Sequence, residues 1–253
     1  MAIDPIHQFH ITKLFTIGHI AGQEIAFTNS SAYMLLSVAV ISLVMIGGTA
    51  KRQLVPDRIQ SLAELSYEFV ASMIRSTAGS EGMKFFPLVF SLFMFICVSN
   101  LIGIIPYAFT VSSHLIVTGA LALLVFFIVL FYGLHKNGLK FFRLFVPSGI
   151  PIYILPVVVP IEIMTFLLKP VSHSVRLFAN LLAGHIALKV FAGFVGMLGA
   201  LGVFGIFGSF GAVFPLALTV ALTALELLVA FLQAYVFAIL TCIYLGDAIH
   251  PGH

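Results

Sequence analysis

A permanent cation set in lipid-grade sequence is what most limits how this chain can fold. Between Pro160 and Leu198 an otherwise apolar run carries Glu162, Lys169, His173, Arg176, Asn180, His185 and Lys189. Arg176 is central, because a guanidinium does not shed its proton and a charge near mid-bilayer costs roughly 2.5 to 3.5 kcal/mol on insertion scales. A side chain that costly must have a use. At about 100° per residue, Glu162, Lys169, His173, Arg176 and Asn180 fall within a sector roughly 60° wide, so that helix face is not turned to acyl chains. His185 and Lys189 lie one turn apart on nearly the opposite face.

The rest of the chain fits a membrane setting. Of its 253 residues 61% are hydrophobic and 8% charged, which excludes a soluble globular domain and implies a polytopic, all-α membrane protein. The net charge of +3 is carried by scattered residues rather than a basic patch, so nucleic acid is excluded as a partner. Cys97 and Cys242 stand in apolar runs without metal-ligand spacing and read as small buried hydrophobes. No metal site, cofactor site, phosphate loop or nucleophile arrangement is found, so no catalytic residue is assigned.

Taken in order, residues 1–31 read as an N-terminal segment on the outer face, without the charged start and cleavage site of a signal peptide. Residues 32–50 form the first transmembrane helix, ending at Lys51 and Arg52. Over 56–78 an apolar stripe of Ile59, Leu62, Leu65, Phe69, Met73 and Ile74 opposes Arg58, Glu64, Glu68 and Arg75, the pattern of an amphipathic helix lying on the membrane surface. Residues 85–135 make a transmembrane hairpin broken at Pro106, with Asn100 expected to hydrogen-bond between helices and His114 to sit at the interface. Pro147, Pro151 and Pro156 make residues 141–159 a surface or re-entrant connection.

Residues 160–248 then form two long, strongly tilted helices, since 39 residues from Pro160 to Leu198 span near 58 Å, about twice a perpendicular crossing. Pro170 is the expected bend, 199–211 the connection, and 212–244 the returning helix, with Glu226 and Gln233 on one face. Lys169 and Lys189 are read as snorkelling to an interface. Eight basic residues fall in the two loops on one side and Lys13 alone on the other, which puts the N-terminus outside and, after five crossings, the C-terminus inside.

Carboxylate, imidazole and amide groups at membrane depth suit a proton path, although Asn180 or Gln233 alone is equally well explained by interhelical packing. Glu226 and His185 are costly to bury and read either as a mutual ion pair or as a relay. Glu162 lies about 21 Å from Arg176 along the axis, so the counter-charge of Arg176 is expected on another subunit. A carboxylate there favours losing its proton beside Arg176 and keeping it when turned to lipid.

The string PVSHSVRLFANLLAGH at Pro170–His185, followed by LELLVAFLQAYVFAILTCIYL at Leu225–Leu245, closely resembles subunit a of the F-type ATP synthase. The resemblance implies a non-catalytic stator beside a rotating ring of c subunits, held by peripheral-stalk b subunits in a bacterial cell inner membrane. By position, Arg176 matches the arginine that meets the ring carboxylate and prevents a proton short-circuit, and Asn180 and Gln233 match the polar residues beside it. His185 and Glu226 match the pair lining the outer half-channel, in the order of mitochondrial-like sequences. Glu162 with His173 corresponds to the exit toward the inner face. The rival reading is a self-contained proton-coupled transporter, which usually carries an internal repeat; none is found here.

Overall fold

The computed structural model describes residues 11–20, 23–50, 53–105, 108–146, 151, 153–201 and 206–249. Six helices follow a short antiparallel hairpin: β1 (Lys13–Ile20), β2 (Gln23–Thr28), α1 (Asn29–Ala50), α2 (Arg58–Ala78), α3 (Phe86–Ile104), α4 (Leu115–Asn137), α5 (Leu155–Leu201) and α6 (Ile206–Ile249). Among the described residues five segments are long and apolar enough to cross a membrane: α1, the α2–α3 stretch, α4, α5 and α6.

The hairpin is not expected from the sequence, whose apolar and polar residues alternate there only briefly before α1. Phe15 stacks on Phe27 across it at 4.9 Å between ring centroids. Asn29 fixes the passage into α1, its Oδ1 accepting from the backbone N–H of Ser30 and of Thr12.

Asp57 starts α2, its carboxylate accepting from the N–H of Arg58 at 2.7 Å, and Gly79 ends it at φ 70°. Its apolar stripe divides: Met73 and Ile74 are buried in the protein, while Ile59, Leu62 and Leu65 are exposed and small Ala63 takes the inward position. Gly48 of α1 lets that contact form, since a Cβ there would stand 2.8 Å from Ala63 Cβ.

The core lies where α3, α4, α5 and α6 meet. On α6, Ala230, Ala234, Ala238 and Cys242 recur every fourth residue and are fully buried, the small-residue stripe that lets helices approach closely in lipid. Cys242 is a free, buried thiol and Cys97 a free, half-buried one. Asn100 of α3 bonds between helices as expected, donating to the Ala230 carbonyl at 3.2 Å and accepting from Ser112 at 2.7 Å. His114 precedes α4, stacked on Phe109.

Two expectations about the long helices need correction. Helix α5 begins at Leu155, inside the expected connection 141–159, because Pro156 falls in its first turn, where a missing N–H costs nothing. It continues to Leu201, and α6 starts by Ile206, so most of the expected connection 199–211 is helical. Gly208 and Gly211 lie within α6, since glycine weakens a helix without forbidding it. Residues 138–145 form a 3-10 helix that seats Phe141 against Phe166 of α5. Lys51, Arg52, Pro106, Pro147, Gly202 and Gly205 lie outside the described residues.

Candidate functional site

Helices α5 and α6 run antiparallel, and their contacts preserve one register. His185 meets Glu226, His173 meets Phe237, and Lys169 meets Asp247. The polar residues therefore sort along the pair into two clusters, one about midway along α6 and one near its C-terminus.

The first cluster is buried. His185 Nδ1 lies 3.1 Å from Glu226 Oε1, and both side chains are almost fully enclosed. The other ring nitrogen, Nε2, is 3.0 Å from the hydroxyl of Thr110 in the loop between α3 and α4. Thr110 is fully buried, and its hydroxyl also contacts the Gly103 carbonyl at 3.4 Å. Glu226 rests over Gly184, which has no side chain to displace it. Eleven residues before His185, about 16 Å along α5, Ser174 bonds to Thr118 of α4 at 3.1 Å.

The second cluster sits near the C-terminus of α6. Lys169 Nζ pairs with Asp247 at 3.2 Å and stands 4.6 Å from the centre of the Tyr244 ring. Lys169 is thus held by a carboxylate and an aromatic face rather than by snorkelling alone. His173 is buried edge-on to Phe237 at 3.8 Å, and neither ring nitrogen has a hydrogen-bond partner among the described residues. Glu162 is half-buried and lies eleven positions before His173, about 16 Å along the helix, so the two expected exit residues are not brought together.

Arg176 stands between the clusters, seven residues beyond Lys169 and nine before His185, about 10 Å and 14 Å along the axis. It is exposed on the bare chain, as is Asn180. Among the described residues no carboxylate lies within ion-pair distance of its guanidinium. Beside it, an open groove of about 240 Å³ between α5 and α6 is lined by Asn180, Gly184, Glu226 and Gln233 among apolar residues. Four of the seven expected site residues thus converge: the groove joins Asn180, Gln233 and Glu226, and Glu226 joins His185. The common face is split, since His173 turns inward to α6 while Arg176 and Asn180 face outward. Among the described residues no three His, Cys, Asp or Glu side chains come together as a metal site would require.

Sequence reasoning missed Thr110, Ser112, Thr118, Ser174 and Asp247. Hydroxyl residues are common in membrane helices as packing groups, so only their placement distinguishes these. Asp247 had a usable signal, being an acidic residue near the C-terminal end of a long apolar helix.

Residues 31–246 match the protein family described as ATP synthase A chain. Over 253 residues, the whole of both chains, this chain is 82% identical to ATP synthase subunit a of Rhodopseudomonas palustris strain BisB5 and 77% identical to that of Bradyrhizobium diazoefficiens. It is 73% identical over 251 residues to ATP synthase subunit a of Nitrobacter winogradskyi, covering 99% of this chain and all of that one.

Proposed function

The chain belongs to the ATP synthase A chain family, and from that premise we propose that it offers two offset proton half-channels to the carboxylates of a c-subunit ring, with Arg176 separating them. It is an integral membrane subunit of the proton-translocating sector and carries none of the ATP chemistry. The observation that carries the proposal is Arg176 itself: an exposed guanidinium on a helix of membrane-spanning length, without an acidic partner of its own chain among the described residues. Lipid is a poor neighbour for that group, and a passing carboxylate is a good one.

In this mechanism a proton arriving from outside reaches the buried His185–Glu226 pair, crosses the groove lined by Asn180 and Gln233, and neutralises a ring carboxylate. Neutral, that carboxylate can move into lipid. At the end of its circuit it meets the side of the chain bearing Lys169, His173 and Glu162, loses its proton inward, and pairs with Arg176. Each charge moved through 100 mV contributes about 2.3 kcal/mol, so several protons are summed per ATP. The assignment to a bacterial inner membrane, with the N-terminus outside and the C-terminus inside, and to contact with peripheral-stalk b subunits belongs to the same proposal.

The test is proton pumping driven by ATP in vesicles that hold the assembled complex. Arg176→Ala is expected to abolish pumping while the complex still assembles, and normal pumping would remove the role given to it. His185→Ala and Glu226→Ala are expected to slow flux and shift its pH dependence; wild-type flux in both would count against the access pair.

A further inference from the structure

We infer that the recess where α4, α5 and α6 meet is a binding site for one water molecule, which joins the buried imidazole of His173 to the Lys169 ammonium. Its part in proton release rests on the proposed inward half-channel; the site itself rests on the recess and its lining.

His173 supplies the need. It is 5% exposed, lies edge-on to Phe237, and has no hydrogen-bond partner at Nδ1 or at Nε2 among the described residues. A neutral imidazole carries one donor and one acceptor, so both are unmet whichever nitrogen holds the proton. Buried polar atoms are almost always met by protein or by ordered water, because an unmet one gives up its hydration without return.

The recess supplies the room. It holds about 10 Å³, the space of a single water, and its walls include His173, Lys169, Pro170 and Phe166 of α5 and Tyr244 of α6, closed by apolar residues of α4. An apolar cavity of this size stays dry, but this one borders an imidazole and an ammonium. Lys169 lies one turn before His173 on the same face of α5, and its Nζ stands 4.6 Å from the centre of the Tyr244 ring and 5.6 Å from that of Phe166. An ammonium has three N–H groups, and Asp247 takes one of them at 3.2 Å. A water that accepts another keeps both of its own protons to donate, and the bare ring nitrogen of His173 takes one. Pro170 also withholds an N–H from the Phe166 carbonyl one turn back, a break in the backbone ladder that ordered water commonly repairs in membrane helices.

The test is magnetisation transfer from water to the His173 imidazole nitrogens in the assembled complex in lipid, with the ¹⁵N signals assigned by their loss in His173→Leu. Expected is transfer to the His173 ring; its absence overturns the inference. Ala122→Val and Val129→Ile each add carbon to the α4 wall of the recess, and a several-fold loss of transfer in either supports the site. Unchanged transfer in both means that His173 meets a wider body of water, and overturns it. Lys169→Met combined with Asp247→Asn removes the ammonium without stranding its carboxylate and should lower the transfer several-fold; unchanged transfer overturns the bridge to Lys169. Proton flux in vesicles separates the site from the wider reading. Water contact at His173 with wild-type flux in His173→Leu removes His173 from the inward half-channel and leaves the water site standing, whereas slowed flux without that contact overturns the site alone.

Discussion

Gly184 makes room for the Glu226 carboxyl. A methyl group at its Cα would stand 3.1 Å from Oε1, tighter than ordinary contact, and 3.6 Å from the carboxyl carbon. Gly184→Ala should therefore push Glu226 away from His185 with little damage to α5, where alanine is the better helix former. At about 1.4 kcal/mol per tenfold in rate, an overpacking cost of about 1 kcal/mol at this contact corresponds to a flux roughly 3- to 10-fold lower. Glu226→Asp in the same chain shortens the side chain and should recover part of it; flux in vesicles measures both, and an unchanged Gly184→Ala would mean the carboxyl moves freely. His173 shows where angular reasoning stops at this scale. A sector of about 60° is narrow enough to group it with Arg176, yet the buried stripe of α5 runs through Phe166, Pro170, Leu177 and Leu181 and its edge crosses that sector. Periodicity orders residues around a helix but does not say where the neighbour's edge falls.

At the scale of elements, the join between α4 and the 3-10 helix at 138–145 positions the N-terminal half of α5. Phe141 is nearly fully buried and wedges against Gly133, where a Cβ would come within 2.3 Å of its ring. Gly138 turns the chain at φ 53°, a conformation that favours glycine. Gly133→Ala should cost about 1 to 3 kcal/mol by overpacking, and Phe141→Leu in the same chain should relieve it; the yield of assembled complex after mild heating would read both. Spans such as α1 and α4 are legible in the sequence because an unbroken apolar run bounded by polar residues has one reading in lipid. The ends of α5 and α6 are not, since proline is tolerated in the first turn, where Pro156 lies, and glycine only weakens a helix, as at Gly208, so neither residue marks an end. The hairpin before α1 is equally hidden, because two short strands carry little pattern. Helix α2 combines both cases: its stripe is legible, but the division of that stripe between Met73 and Ile74 inside and Ile59, Leu62 and Leu65 outside depends on α1 and α6. If those exposed residues rest in lipid, spin labels at Leu62 should be relaxed by oxygen dissolved in the bilayer, and labels at Glu68 by an aqueous reagent.

For the molecule as a whole, the separation of the two polar clusters favours the proposed stator over a self-contained transporter. His185 and Lys169 are sixteen residues apart on α5, about 24 Å, and between them the inward face of the helix carries Leu177 and Leu181, which share the apolar core with Phe237 and Ala234 of α6. The Ser174–Thr118 contact is too isolated to join the clusters, and between them on α5 the exposed charged residue is Arg176, whose charge, on the proposed reading, repels a proton in transit. A transporter complete in itself needs a midplane site reachable from both sides. On the proposed reading the two clusters serve separate half-channels, and the link between them comes from outside the chain. Replacing the ring carboxylate with its amide in the otherwise intact complex should therefore abolish passive proton conductance as well as ATP-driven pumping, both measured with a pH-sensitive dye in sealed vesicles. Amide substitution leaves shape and assembly nearly unchanged, so the loss would be chemical. Conductance that survived it would mean protons cross α5 and α6 unaided, and the chain would have to be read as a channel in its own right.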